Sequence, residues 1–221
     1  TVNDIFRAHL PVSAQLGLAA LAVAVGLGVP LGIIAALKQN STWDYLSMAI
    51  AIFGVSVPSV ALGPIFILIF ASTLHWLPVA GWGSWERIIM PALTLGLGSS
   101  ALIARLTRAS MLQVIREDYI RTAYAKGLSE RVVIIRHALK NAFIPVATIL
   151  GPMFAALVTG TLVVEQIFAI PGMGKYFITS ISNRDYPVVM GTTLLYAVFL
   201  VIANLLVDIT YAFLDPRIQY Q

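Results

Sequence analysis

Five uncharged runs, 11–37, 45–74, 88–104, 141–164 and 186–207, limit what this chain of 221 residues can fold into. A helix needs about 20 predominantly apolar residues to cross the hydrocarbon of a bilayer, and four of the runs exceed that length. The short run at 88–104 reaches it by borrowing flanking residues. A mean hydropathy of +0.88 sets the whole chain far above a soluble domain. Continuous apolar blocks also exclude a membrane barrel, whose strands read as alternating segments of about ten residues, and an open sheet cannot satisfy its backbone in lipid. The expected fold class is all-α integral membrane, one domain over 1–221 with spans at about 11–37, 45–74, 88–109, 141–164 and 186–212.

The basic residues orient such a bundle. Lys38, Arg105, Arg108, Arg116, Arg121, Lys126, Arg131, Arg136, Lys140 and Arg217 fall on one side, against Arg7, Arg87, Lys175 and Arg184 on the other. The excess of lysine and arginine predicts that the loop 110–140 and the C-terminus are cytoplasmic, with segment 1–10 and loop 165–187 external. An external first residue implies a preceding span that this chain does not carry. The opening stretch TVNDIFRAHL lacks the basic start, short apolar core and small-residue cleavage site of a secretory signal. With no cysteine in the chain, a disulfide frame, a thiolate metal site and a cysteine nucleophile are all excluded.

The spans are rich in residues that kink helices or let them approach closely: Gly26, Gly28, Pro30 and Gly32 in the first, Gly54, Pro58, Gly63 and Pro64 in the second, Pro91, Gly96 and Gly98 in the third. The fourth adds Pro145, Gly151, Pro152 and Gly160. That pattern suits a packed bundle around a path better than a simple anchor. Hydroxyls and amides within the runs, such as Ser56, Thr94, Ser100, Thr161 and Asn204, are expected to bond between helices. Asp208 is the one acidic residue with a place within the membrane open to it; a turn after Asn204 and near the cytoplasmic exit, it reads as a structural interfacial acid, with a proton relay the alternative.

Eight charged residues crowd into EDYIRTAYAKGLSERVVIIRHALKN, residues 117–141, between two apolar runs. Glu117 to Ala125 is a good helix former, Gly127 offers a turn, and SERVVIIRHALKN resumes a helix with Ser129 as its cap. Leu128, Val132, Val133, Ile135 and Leu139 are available for one face of the second helix, and Arg131, Arg136 and Lys140 for the other. A projecting pair of short helices hinged at a glycine is the expected shape.

No catalytic constellation accompanies it. His9, His75 and His137 are scattered, and no hydroxyl stands in a nucleophile setting. The segment PGMGKYF at 171–177 contains Gly-Lys, but Tyr176 replaces the magnesium-binding hydroxyl of a phosphate loop and Ala169 stands at its first glycine. Glu117, Asp118 and Glu130 interrupt the basic charge of the loop, which argues against nucleic acid as a partner.

The loop resembles the EAA motif of permease subunits of ABC importers: Glu-Ala-Ala, three residues, Gly, nine residues, then Ile-x-Leu-Pro. Thr122-Ala123-Tyr124 occupy the first three places, Gly127 the glycine, and His137-Ala138-Leu139-Lys140 the last four. Thr, Tyr, His and Lys replace the generic residues, and in doing so they resemble the oligopeptide, dipeptide and nickel branch, with its RTA-x-AKG followed by RHAL. IAALKQNSTWDY at 34–45, HWLPVAGW at 75–82, ARLTRASMLQV at 104–114, PGMG at 171–174, NRDYP at 183–187 and LDPRIQY at 214–220 extend the likeness to the first permease subunit of peptide importers across the chain.

This resemblance implies a non-enzymatic subunit in a bacterial or archaeal cytoplasmic (inner) membrane. Its implied partners are a sister permease, two cytoplasmic ATPase subunits, an external substrate-binding protein and a peptide substrate. ATP and magnesium would be bound by the ATPases, with no cofactor or metal in this chain. Arg121, Thr122, Ala123, Lys126, Gly127, Leu128 and His137 are the residues expected to couple the chain to an ATPase. The same architecture importing glutathione or nickel chelates, or an ATP-independent, proton-coupled carrier or channel working through Asp208, is the alternative.

Overall fold

The computed structural model describes the backbone of residues 2–159 and 161–214, with side chains in that range except at 159, 207, 208 and 210–214. Every regular element among these residues is helical. α1 (Val2–Leu37) runs unbroken through both the amphipathic opening segment and the first apolar run. α2 (Thr42–Ser56) and α3 (Ser59–Phe66), the latter prolonged by a wide π-helical stretch at Ile67–Thr73, share the second run. α4 (Trp85–Val114) carries the third. The charged stretch forms α5 (Asp118–Ala125), then α6 (Glu130–Val132), a π-helical stretch at Val133–Ala138, and α7 (Leu139–Ala142). α8 (Ile144–Thr159), α9 (Leu162–Ile167), α10 (Gly174–Ser182) and α11 (Tyr186–Leu214) complete the chain.

Three helices, Val2–Leu37, Trp85–Val114 and Tyr186–Leu206, are individually long and apolar enough to cross a membrane, and two bent pairs raise the number to five. The apolar run at 45–74 is not one rod: α2 and α3 meet at 100°. The cause is local. Val57 precedes a proline and takes the extended backbone that this position favours (φ −99°, ψ 120°), while Pro58 starts the next helix from ψ 140°. A gentler 52° bend separates Glu130–Ala142 from Ile144–Val158, where Pro145 has no N–H to continue the helical ladder.

α4 lies at the centre, packed along α1 and also against α2 and α8. Close approach explains the glycines. A Cβ on Gly28 would lie 2.7 Å from the Ser100 carbonyl oxygen, one on Gly32 2.6 Å from that of Ala104, and one on Gly96 2.6 Å from that of Ala20. Gly54 of α2 meets the Leu97 carbonyl oxygen of α4 in the same way, at 2.5 Å. Backbone has no room to yield, so these four positions set the helix spacing. Three of the hydroxyls named from sequence behave differently from expectation, although Ser13 of the first run does bond across to another helix. Ser56, Thr94 and Ser100 donate to carbonyls one turn back in their own helices rather than across to a neighbour.

Two apolar clusters mark the ends of the bundle. One gathers Ala36, Met111, Ile120, Ala123, Val133, Ala138 and Ala142 beneath the charged stretch; the other gathers Leu16, Ala71, Met90, Val164, Phe168 and Ile170. Their anchor points on α1, Ala36 and Leu16, stand about 30 Å apart along the helix axis. Outward, α2 and α11 expose Tyr45, Phe53, Leu194, Val198, Val201 and Leu205, a greasy band of the kind that lipid or another subunit covers.

Candidate functional site

The projecting element begins where α4 stops. Glu117 breaks the helix with extended backbone (φ −71°, ψ 148°), and α5 starts at Asp118. α5 ends at a Schellman-type stop: Gly127, at φ +78°, donates its N–H to the Tyr124 carbonyl at 2.9 Å, and Leu128 donates to that of Ala123 at 3.4 Å. Left-handed backbone is what glycine alone adopts without strain. Ser129 then occupies the cap position of α6, but its side chain makes no capping bond; its carbonyl instead accepts the N–H groups of Val132 and Val133 at 3.0 Å.

Burial divides the second helix otherwise than its sequence suggests. Val133, Ala138 and Ala142 are buried, with Ile134 and Leu139 packed against them, whereas Ile135 is exposed and so is Leu128. The π-helical register is the reason, because it shifts the inward positions away from the 3.6-residue repeat that placed Ile135 inside. The result is an apolar underside seated on α1 and α4, with Tyr124, Leu128 and Ile135 presented outward among charged groups.

Between α5 and the following helix lies a cleft of about 340 Å³ lined by Tyr119, Thr122, Ala123, Lys126, Leu128 and His137. It brings together five of the seven residues proposed from sequence. Arg121 lies outside it, on the exposed side, with its guanidinium 3.6 Å from Asp118; Gly127 forms the turn at its edge. Sequence reasoning does not single out Tyr119, although it sits one turn before Thr122 and Ala123; it lines the cleft, and its phenol oxygen accepts the Asn141 amide at 2.7 Å. A basic Lys126 beside an apolar notch suits a partner that offers a small apolar side chain and a carboxylate.

Close by, α4 and the α1–α2 turn are pinned together. Asp44 is 2% exposed, and Arg108 embraces it with two bonds, Nε to Oδ1 at 2.8 Å and Nη2 to Oδ2 at 2.7 Å. The Asn40 N–H also donates to Oδ2, at 2.9 Å.

The far end holds a second buried acid. Glu165, expected at the start of an external loop, is only 1% exposed. Ser13 and Thr161 donate their hydroxyls to Oε1 at 2.6 and 2.8 Å, and the Gly174 N–H donates to Oε2 at 2.8 Å. Ser13 in turn accepts the Met173 N–H at 2.9 Å, and His9 Nδ1 donates to the Pro171 carbonyl at 2.8 Å. The PGMG segment is thus wrapped around a carboxylate that α1 helps to hold. It is no phosphate cradle, because Glu165 occupies the amide at the start of α10 that a phosphate would need. The side chain of Asp208, the acid singled out from sequence, lies outside the described residues.

Residues 28–220 match the model of the binding-protein-dependent transport system inner membrane component family. The chain belongs to that family. The dipeptide transport system permease protein DppB of Bacillus subtilis (strain 168) is 50% identical over 219 residues, covering 99% of this chain and 71% of that protein. The oligopeptide transport system permease protein OppB of Escherichia coli (strain K12) is 47% identical over 222 residues, covering 100% of this chain and 72% of its own length. A solved structure of the MetNI methionine ABC transporter in an inward-facing conformation superposes with a TM-score of 0.76 over 96% of both chains. At 14% identity that likeness shows the shared fold of these inner membrane components and no more.

Proposed function

We propose that this chain is a permease subunit of an ATP-driven importer, forming with a sister permease the path for peptides delivered by an external binding protein. The observation that carries the reading is the 47–50% identity to dipeptide and oligopeptide permeases across nearly the whole chain. The cleft of Tyr119, Thr122, Ala123, Lys126, Leu128 and His137 supports it as the surface on which a cytoplasmic ATPase seats. Its apolar underside ties it to α1 and α4, so a push on the cleft is delivered into the bundle rather than absorbed in a loop.

On this reading ATP and magnesium belong to two ATPase subunits, and the present chain contributes no catalytic group. The cleft and the C-terminus face the cytoplasm, and the segment around PGMG faces outward. The test is reconstitution into vesicles with the sister permease, both ATPases and the binding protein. Peptide uptake is expected only when all are present with ATP. A single cysteine placed at Ile135 is expected to react only with reagents on the ATPase side. Uptake by the permeases alone, indifferent to ATP, would overturn the proposal.

A further inference from the structure

Asp44 is the only acidic residue between Asp4 and Glu86, and it is buried. Burying a carboxylate is expensive unless geometry and hydrogen bonding compensate it. An acid in the first turn of a helix is ordinary, but capping α2 does not call for the two-bond arginine fork from another helix that Asp44 receives. Here both oxygens are filled. Oδ1 accepts from Arg108 Nε, while Oδ2 accepts from Arg108 Nη2 and from the N–H of Asn40, the residue that turns the chain at φ +58°. One carboxylate therefore joins the exit of α1, the first turn of α2 and the last third of α4.

Arg108 lies six residues before the end of α4, about 9 Å along its axis, and α4 leads directly into the cleft-bearing element. Below the pair, Ile33 and Ala36 of α1 pack with Met111 and Leu112 of α4 and with Ile120, Ala123 and Val133 of that element. The Arg116 guanidinium reaches the Gln39 amide oxygen at 3.5 Å. Apolar packing alone lets helices slide, whereas a two-bond arginine–carboxylate fork fixes both distance and angle.

We propose that Asp44 and Arg108 are a positioning pair for transport: they lock the α1–α2 turn to α4, so that α2 follows when an ATPase displaces the cleft. This rests on the transport reading above. With the pair broken, the cleft still docks and ATP is still hydrolysed, but the displacement reaches α2 only in part. The consequence is hydrolysis without proportionate import.

The experiment is the complete reconstituted complex, scored by labelled oligopeptide imported per ATP hydrolysed, with assembly checked by copurification of the ATPases. Asp44→Asn is expected to lower that ratio about tenfold, the effect of roughly 1.4 kcal/mol of lost coupling, while hydrolysis persists. Arg108→Lys, which keeps the charge and loses the fork, is expected to lower it about threefold. If Asp44→Asn fails to assemble, the lysine variant decides alone. An unchanged ratio in assembled variants, or import and hydrolysis declining together with the amount of complex, would overturn the pair's role. Absence of ATP-dependent uptake by the unaltered complex would instead overturn the transport reading and the pair's role with it.

Discussion

Gly172→Ala tests whether the buried carboxylate of Glu165 dictates the glycines around it. Gly172 lies outside the left-handed region, so its backbone makes no demand for glycine. Space does. A Cβ there would lie 2.2 Å from both Cδ and Oε1 of Glu165, where ordinary contact begins at 3.4 Å. Either the carboxylate retreats by more than about 1 Å, which takes its bonds of 2.6 to 2.8 Å out of range, or the PGMG segment lifts off α1. Hydrogen bonds to a charged group contribute about 1.5–3 kcal/mol each, and overpacking costs about 1–3 kcal/mol, so the cheaper response sets a loss of roughly 1–3 kcal/mol. For a chain of this size that corresponds to a fall of roughly 2–12 °C in the melting midpoint of the detergent-solubilised protein. The discriminating measurement is a double-mutant cycle. In a Glu165→Ala background the atoms that collide are gone, and Gly172→Ala should then cost less than about 0.5 kcal/mol. Equal losses in both backgrounds would refute the steric argument and leave glycine at 172 unexplained.

The remaining predictions concern other glycines. A Cβ at position 127 meets no atom within 4 Å, so the cost of Gly127→Ala is the left-handed backbone itself, about 1–2 kcal/mol; on the proposed function, ATPase copurification should fall several-fold, and Gly127→Asn should restore most of it. Gly32→Ala forces a methyl to 2.6 Å from the Ala104 carbonyl oxygen and should destabilise the bundle by about 1–3 kcal/mol in thermal unfolding, whereas Gly26→Ala, with nothing within 4 Å, should be neutral.

What the sequence disclosed, and what it withheld, follows from the range of the interactions. Apolar length is a property of consecutive residues, so all-helical membrane architecture was legible, as was the glycine turn at 127, whose stop bonds reach back only to Ala123 and Tyr124. The 100° break at Pro58 was only half legible: a proline in an apolar run signals a kink or a break equally, and the extended Val57 decides between them. Ile135 was misplaced because a 3.6-residue repeat was assumed where the helix is locally wider. The two buried acids were missed for a deeper reason. Hydropathy treats a charge as the end of an apolar run, so Asp44 and Glu165 fall in the loops that bound the spans, yet whether such a charge is exposed or internal depends on its partners. Ser13 stands 152 positions from Glu165, and Arg108 stands 64 from Asp44. PGMG shows the same limit: no positive φ requires its two glycines, and only the folded neighbours, the Glu165 carboxylate against both and Leu162 against Gly174, show what crowds them.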